Sequence, residues 1–278
     1  MPLQAPLLKR LTFILSLTLT GCAYTPSSAD QLASTHHWVA SDITTTTFTL
    51  RSYRPNQKVT SDVLNIYIEG DGFAWSSRTT PSLDPTPKNP IALKLALAAN
   101  QGNSIYLARP CQYIPTQPLC TNQYWTSSRY ANEVVDAMNQ AIDKIVQATK
   151  VRHINLIGFS GGGTIAALIA LRRNDVNKIT TISANLDHTA WSKYHKVSPL
   201  TGSLNPANYI KQLSTIEQHH FVGANDKNTP PVLLQDFYNK FDHLKHAVHI
   251  YTIANFTHNC CWEDEWPALV QKIEITSP

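Results

Sequence analysis

A glycine-rich pentapeptide, residues 158–162, has the spacing of a turn that presents a nucleophilic serine. It reads Gly-Phe-Ser-Gly-Gly with Ser160 at its centre, between the apolar residues 154–157 and 165–171. This context predicts a buried strand, a tight turn and a helix. Glycine suits both ends of the pentapeptide because a Cβ there would collide with the neighbouring strand or helix. The turn would lift the Ser160 hydroxyl above the sheet and direct N–H groups of the helix toward the reacting oxygen.

A base and an acid must accompany the serine, because a hydroxyl attacks only when a base takes its proton and a carboxylate orients that base. A serine in this kind of turn is followed along the chain first by the acid and then by the histidine. Asp226 follows the predicted strand 219–223, and His258 follows the last predicted strand, residues 248–253. These side chains are therefore the predicted acid and base. Asp187, after the predicted strand 178–183, is the alternative acid.

The oxygen that gains negative charge during the attack needs two N–H donors. The amide of Gly161, directly after the serine, is the first candidate. The second lies in a glycine-containing loop after a short apolar strand, at Asp71 or Gly72, where glycine lets the backbone turn its amides inward. Trp75, just beyond this loop, is a candidate wall of the binding pocket, and His188 is another.

The elements that must position these residues alternate as strand and helix along most of the chain. Such alternation with short connections predicts a mostly parallel central sheet with helices on both faces. The clearest helix covers residues 129–149, where apolar side chains form one stripe, and residues 186–216 predict at most a small cap. Ligands bind beyond the carboxyl ends of such strands, and Ser160, Asp226 and His258 all follow strands.

The first residues have the features of an export signal. Lys9 and Arg10 precede the apolar residues 11–19, and a Leu-Thr-Gly-Cys sequence ends at Cys22. A cysteine in this position resembles that of the bacterial lipobox, which becomes the lipidated N-terminus. The pattern predicts a signal peptide over residues 1–21 and a lipid anchor on Cys22.

The remaining chain is interpreted as a tether over residues 22–44, which ends in a first edge strand, and one domain over residues 45–278. Ala23 after the lipidated cysteine favours the outer membrane of a bacterial envelope, facing the periplasm. Loss of residues 1–21 lowers the formal net charge from +4 to +2. That charge is too small to indicate a nucleic-acid partner.

Four cysteines occur besides the predicted lipidation site, and an exported protein is expected to form disulfides. They allow three pairings, among which the sequence does not choose. A bond between Cys111 and Cys120 would close one loop, whereas bonds to the Cys260-Cys261 pair would pin that loop beside His258. A metal site of His258, Cys260 and Cys261 is a competing hypothesis, although its spacing matches no common zinc pattern.

Three motifs resemble those of the α/β-hydrolase superfamily and of a group of bacterial lipoproteins within it. They are Glu-Gly-Asp-Gly-Phe-Ala-Trp, Gly-Phe-Ser-Gly-Gly-Gly and His-Asn-Cys-Cys-Trp, which begin at residues 69, 158 and 258. The resemblance covers about residues 45–275 and implies that fold, a serine nucleophile, a histidine base and no cofactor. The chain departs from the pattern at Glu69, where many relatives carry histidine before the glycine. This departure affects the expected oxyanion donor and not the class of reaction.

The leading expectation is a serine hydrolase, more an esterase than a peptidase, that cleaves a carboxylic ester or related acyl bond. Its partner would be a small-molecule or lipid-like acyl substrate, with the membrane reached through the N-terminal lipid. A peptidase of the same fold would use the same residues. A non-catalytic envelope lipoprotein that binds a ligand is the third alternative, because a fold alone does not prove activity.

Overall fold

The computed structural model describes residues 28–99 and 102–276. The predicted signal peptide and Cys22 lie outside the described residues. The strands are β1 (Trp38–Thr44), β2 (Thr49–Pro55), β3 (Val63–Ile68), β4 (Ser104–Leu107), β5 (His153–Phe159), β6 (Val176–Ile182), β7 (Glu217–Gly223) and β8 (Val248–Ile253). The α-helices are α1 (Ser28–Thr35), α2 (Ile91–Ala98), α3 (Asn132–Thr149), α4 (Gly161–Ala170), α5 (His188–His195), α6 (Ile210–Leu213), α7 (Pro231–Asn239) and α8 (Trp262–Thr276).

The strands form one sheet in the order β1-β2-β4-β3-β5-β6-β7-β8. Strand β2 is antiparallel to both β1 and β4, and the other neighbouring strands are parallel. The mostly parallel sheet expected from the alternation of elements is therefore confirmed. In this arrangement the carboxyl ends of β3, β5, β6, β7 and β8 meet at one edge, which is where ligands bind in such sheets.

Helices cover both faces of the sheet, and each face has its own core. On one face α3, α4 and α7 pack against Leu64, Leu156 and their neighbours. On the other face α1, α2 and α8 pack against Tyr67 and Ile157. Because successive strand residues point to opposite faces, β3 and β5 contribute to both cores, as their nearly continuous apolar sequence predicts. The cap is small and consists of α5, α6 and a short 3₁₀ turn.

The folded domain begins earlier than the predicted boundary at residue 45. Residues 28–35 form α1, in which Ala29 and Ala33 are buried, and β1 pairs with β2 along its whole length. Asp30 fixes α1 to the sheet through Arg51 at 3.1 Å and the Tyr53 hydroxyl at 2.8 Å. Within the segment interpreted as a tether and edge strand, the structure thus has a helix as well as the edge strand. The polar residues of this segment fit an edge strand with one side in solvent, because burial alternates along β1.

No helix in the described ranges is both long and apolar enough to cross a membrane.

Candidate active site

Ser160 lies in a strained turn between β5 and α4, with φ 50° and ψ −121°. The glycines around it are required by close backbone contacts. A Cβ on Gly158 would lie 2.4 Å from the Gly162 carbonyl carbon, and a Cβ on Gly162 would lie 2.2 Å from the carbonyl oxygen of Ile68. Strain of this kind costs about 1–3 kcal/mol and persists only where the surrounding structure imposes it. Here it holds the Ser160 side chain at the carboxyl edge of the sheet.

The structure brings Ser160, His258 and Asp226 together, although they are far apart in the sequence. His258 Nε2 lies 3.1 Å from Ser160 Oγ, and His258 Nδ1 lies 2.9 Å from Asp226 Oδ2. Ser160 follows β5, Asp226 follows β7 and His258 follows β8, so three parallel strands deliver the three side chains to one edge. The arrangement can pass a proton from a hydroxyl to an imidazole that a carboxylate orients.

Asp226 is buried, and its loop satisfies both carboxylate oxygens. The N–H groups of Asn228 and Thr229 donate to Oδ1 at 2.8 and 2.9 Å, and the Thr229 hydroxyl donates to Oδ2 at 2.9 Å. Burial alone would raise the pKa of Asp226, but the hydrogen bonds from His258 and Thr229 outweigh it and hold the pKa below its ordinary value. The carboxylate is thus kept ionised beside the imidazole.

Asp187, the alternative acid, does not contact His258. Its side chain caps the N-terminus of α5 by accepting the N–H groups of Thr189 and Ala190, both at 3.1 Å. It also accepts from the Asn205 amide at 2.9 Å and lies 3.5 Å from Lys240 Nζ. Asp187 lies near the sheet edge because it follows a strand. Its carboxylate caps α5 and does not orient His258.

The loop after β3 packs directly against the serine turn. A Cβ on Gly70 would lie 3.3 Å from Ser160 Cβ, and a Cβ on Gly161 would lie 2.1 Å from Asp71 Oδ1. Gly161 begins α4, so its N–H has no acceptor within that helix. The backbone N–H of Asp71 likewise has no acceptor in the described ranges. Gly72 has φ 66°, and a Cβ there would lie 2.0 Å from the Pro85 carbonyl oxygen.

Two buried arginines hold the Asp71 side chain. Arg109 Nη1 donates to Oδ1 at 2.9 Å, and Arg129 Nη1 donates to Oδ2 at 2.6 Å. The Tyr130 hydroxyl lies 3.3 Å from Oδ2, and Arg109 also donates to the Arg129 carbonyl oxygen. Burial would raise the pKa of Asp71, but the two guanidinium charges hold it below its ordinary value. The ion pairs fix the loop on which a second N–H donor was expected.

Glu69, where the resemblance would place a histidine, is a second buried carboxyl group under this loop. Its Oε1 accepts the Gly70 N–H at 2.9 Å, and its Oε2 accepts the Tyr106 hydroxyl at 3.2 Å. Burial raises the pKa of Glu69 to about 7, more than these hydrogen bonds lower it. Through its two hydrogen bonds, the Glu69 side chain links the loop after β3 to strand β4.

A cleft of about 460 Å³ adjoins the Ser160 hydroxyl and the His258 ring. Trp75 lies on its wall and is 41 % exposed, so this side chain is not core packing. Trp191 of α5 also lines the cleft. His188, the other candidate pocket residue, is buried next to Tyr130 and is not part of the wall. His188 is the first residue of α5, and its side chain is buried in the core, where desolvation lowers the pKa of the imidazole.

Both disulfides join cysteines that are close in sequence. Cys111 bonds to Cys120 and closes the loop after β4, while Cys260 bonds to Cys261 directly after the histidine loop. Of the three pairings that the sequence allowed, this one leaves no bond between the two loops. The thiols that the competing metal hypothesis requires are joined in a disulfide, and His258 contacts Ser160 and Asp226.

Several residues of the site were not predicted from the sequence. Arg109 and Arg129 carry no local signal, because they meet Asp71 only through the fold. Asn228 Nδ2 lies 3.1 Å from His258 Nε2, the ring nitrogen that also faces the serine hydroxyl. A signal existed for Asn228 and Thr229, since the polar loop after Asp226 has the composition of an Asx turn.

Comparison with known proteins agrees with the topology. A family model described as the alpha/beta hydrolase fold matches residues 72–197, while no curated protein matches the sequence significantly. A solved α/β serine hydrolase homologue from Coxiella burnetii has 14% identity and a TM-score of 0.54, and the match covers 92% of this chain and 100% of that one.

Two archaeal structures are similar to the chain at the same level. An esterase of Pyrococcus furiosus has 16% identity and a TM-score of 0.60, over 86% of this chain and 93% of that one. An acylaminoacyl peptidase of Pyrococcus horikoshii has 11% identity and a TM-score of 0.60, over 85% of this chain but only 41% of that one. At these identities the likeness concerns the fold. The family model, the solved structures and the sheet order together confirm the α/β-hydrolase fold.

Proposed function

We propose that this protein is a serine hydrolase that cleaves a carboxylic ester or a related acyl bond through an acyl-enzyme intermediate. The observation that carries the proposal is the continuous relay from Ser160 Oγ through His258 to the buried Asp226, with contacts of 3.1 and 2.9 Å. An open cleft adjoins the hydroxyl, so a substrate carbonyl can reach it. The completeness of this relay disfavours a non-catalytic binding lipoprotein.

The proposed reaction uses this relay for each proton transfer. His258 Nε2 takes the Ser160 proton as Oγ bonds to the substrate carbonyl carbon, and Asp226 stabilises the resulting imidazolium through Nδ1–H. When the tetrahedral intermediate collapses, the bond to the leaving group breaks and that group takes the proton from Nε2. Water then repeats the sequence on the acyl-enzyme, with His258 as base, and releases the carboxylic acid and the free serine.

For the oxyanion we assign the N–H groups of Gly161 and Asp71. Gly161 follows the nucleophile, and Gly70, adjacent to Asp71, packs against Ser160. Gly72 is the weaker of the two loop candidates, because its turn packs against the Pro85 carbonyl. The Asp71 side chain is held by two arginines, so its amide is fixed before substrate binds. Losing one such donor costs about 3 kcal/mol of transition-state stabilisation.

Labelling with a fluorophosphonate probe tests the proposed nucleophile. The wild-type protein should be labelled, and Ser160→Ala and His258→Ala should lose the label. Equal labelling of wild type and Ser160→Ala would refute the proposal. The matched control is Ser77→Ala, which changes an exposed hydroxyl outside the relay.

A peptidase is the second candidate function, supported by the likeness to the acylaminoacyl peptidase fold. The small cap leaves the cleft open, which suits either class of substrate. Initial rates on p-nitrophenyl esters of increasing chain length, compared with acylated peptide p-nitroanilides, distinguish the two. An esterase should prefer the esters after correction for their intrinsic reactivity, and the opposite preference would favour the peptidase.

We also propose that the protein is lipidated on Cys22 and anchored in the bacterial envelope, at the outer membrane facing the periplasm. The proposal rests on the basic, apolar and Leu-Thr-Gly-Cys segments in order. Metabolic labelling with an alkyne fatty acid should mark the wild-type protein and not Cys22→Ser. Labelling that survives this substitution would refute the assignment.

A further inference from the structure

The described chain begins beside the cleft. Ser28 lines a cavity together with Phe73, Leu83 and Lys88. Phe73 and Lys88 also line the cleft that holds Ser160. The two cavities are therefore neighbours with a common wall, and the start of α1 lies on the same side of the molecule as the catalytic relay.

The length of chain before Ser28 limits how far this side can be from a lipid on Cys22. Six residue steps separate Cys22 from Ser28. Fully extended, they span at most about 21 Å, at about 3.5 Å for each residue. That distance is shorter than the thickness of a small domain, so an anchor on Cys22 keeps the cleft side near the membrane surface.

The loop between Phe73 and Lys88 presents apolar side chains to solvent although its backbone is ordered. Leu83 is 96 % exposed. Its neighbours are held in place, because the Ser82 N–H donates to the Ala74 carbonyl at 3.0 Å and the Asp84 N–H donates to the Ser82 hydroxyl at 3.1 Å. A large apolar side chain held fully in solvent is a feature of surfaces that bind another apolar phase.

Cations accompany this apolar loop. Arg78, Lys88 and Lys196 are exposed, and none of them forms an ion pair with any residue in the described ranges. Lys88 Nζ lies 3.6 Å from the centre of the Phe73 ring, which fixes that charge at the rim of the cleft. Asp84 is the exposed acid of the loop, and its Oδ1 accepts the Thr86 N–H. The excess of positive charge suits anionic lipid headgroups.

We infer that the face formed by Trp75, Arg78, Leu83 and Lys88, here called the docking face, lies on the lipid surface to which Cys22 ties the chain. Leu83 and Trp75 enter the headgroup region, and Arg78 and Lys88 contact anionic phosphates. The cleft then opens toward the bilayer, so the substrate class is an acyl ester of a membrane lipid. The choice of substrate rests on the proposed hydrolase function, and the orientation rests on the proposed lipidation of Cys22.

Environment-sensitive labels test the orientation without any catalysis. Full-length processed protein carrying Leu83→Cys is labelled with a nitrobenzoxadiazole dye and mixed with vesicles of phosphatidylethanolamine and phosphatidylglycerol in a 70:30 ratio. Lys58→Cys is the matched control, because residue 58 is exposed and precedes β3 at the opposite edge of the sheet. The dye at position 83 should shift to the blue, and its quenching by acrylamide should fall about fivefold. The dye at position 58 should not change.

Charge and substrate variants complete the test. Arg78→Gln with Lys88→Gln should lose most of the protection at position 83, because each cation near an anionic surface changes binding by about fivefold. Leu83→Asp should lower the ratio of vesicle-borne to soluble ester hydrolysis by about tenfold. Equal quenching at positions 83 and 58, protection at 58 alone, or an unmodified Cys22 in the mature protein would overturn the inference. A protected position 83 in a protein that no fluorophosphonate labels would instead refute only the hydrolase function.

Discussion

Replacing Asp226 by asparagine changes Oδ2 to an N–H₂ group, which can no longer accept the Thr229 hydroxyl, and keeps Oδ1 as an acceptor. Asparagine Oδ1 can still accept the N–H groups of Asn228 and Thr229, which now lie 2.8 and 2.9 Å from the carboxylate. Its amide nitrogen would face His258 Nδ1 at about the present 2.9 Å and donate to it. The imidazole proton must then sit on Nε2, which can no longer accept the Ser160 proton. The protein should fold and its nucleophile should be inactive.

The size of the effect follows from two losses. The imidazolium loses a buried charge-assisted hydrogen bond, which contributes about 1.5–3 kcal/mol. The reactive tautomer becomes a minor species, and the same substitution in serine proteases lowers kcat by about 10⁴. We expect kcat to fall by about 10³ to 10⁴, equivalent to about 4–5.5 kcal/mol at 1.36 kcal/mol for each tenfold change.

The assay compares the ester kcat and the rate constant of fluorophosphonate labelling for Asp226→Asn and for Asp187→Asn. The second variant is the matched control, because asparagine caps a helix as well as aspartate does and only the 3.5 Å contact with Lys240 is lost. Asp187→Asn should stay within about threefold of wild type. An Asp226→Asn protein within tenfold of wild type, or an inactive and folded Asp187→Asn protein, would refute the assignment of the acid.

Two further predictions concern the loops around the serine. Gly162→Ala should lower the free energy of unfolding by more than about 2 kcal/mol and abolish labelling, because its Cβ would lie 2.2 Å from the Ile68 carbonyl oxygen; an unchanged melting temperature would contradict this. Glu69 has a pKa of about 7 in the folded protein against 4.5 when free, so between these pH values only the unfolded chain gives up the proton. The free energy of unfolding should therefore fall by about 3 kcal/mol as pH rises from 4.5 to 7. Glu69→Gln should remove that dependence in denaturant titrations, and an identical pH slope in both proteins would contradict the pKa.

Much of the fold could be predicted because its elements have strong periodic patterns. The last strand is found at the predicted residues, and the predicted helix 129–149 differs from α3 only by three residues at its start. There the chain is still turning, and Arg129 uses its side chain on Asp71 and on the Thr126 carbonyl. Residues 28–35 were missed because α1 is short and polar, and its burial depends on two alanines and on Asp30.

The candidate site could be predicted where a residue type must follow a strand. Ser160, Asp226 and His258 meet this condition, and parallel strands deliver such residues to one edge. The rule does not distinguish among acids, so Asp187 satisfies it as well as Asp226 does. Only the path of the chain after β6 determines that the Asp187 carboxylate binds the N-terminus of α5. The partners of Asp71 could not be predicted, because ion pairs across 38 and 58 residues leave no periodic trace.

The Asp71 carboxylate limits how the carboxyl edge of the sheet can move. It joins the loop after β3 to Arg109 at the end of β4 and to Arg129 ahead of α3. If one of these segments moved alone, a buried guanidinium group would lose its ion pair with Asp71 without gaining contact with water. Leaving a buried charge unpaired in this way is costly. Local opening of these segments is therefore suppressed in favour of concerted opening. The three segments joined by Asp71 therefore form a cooperative unit beside Ser160, whose stability follows that of the sheet rather than that of a surface loop.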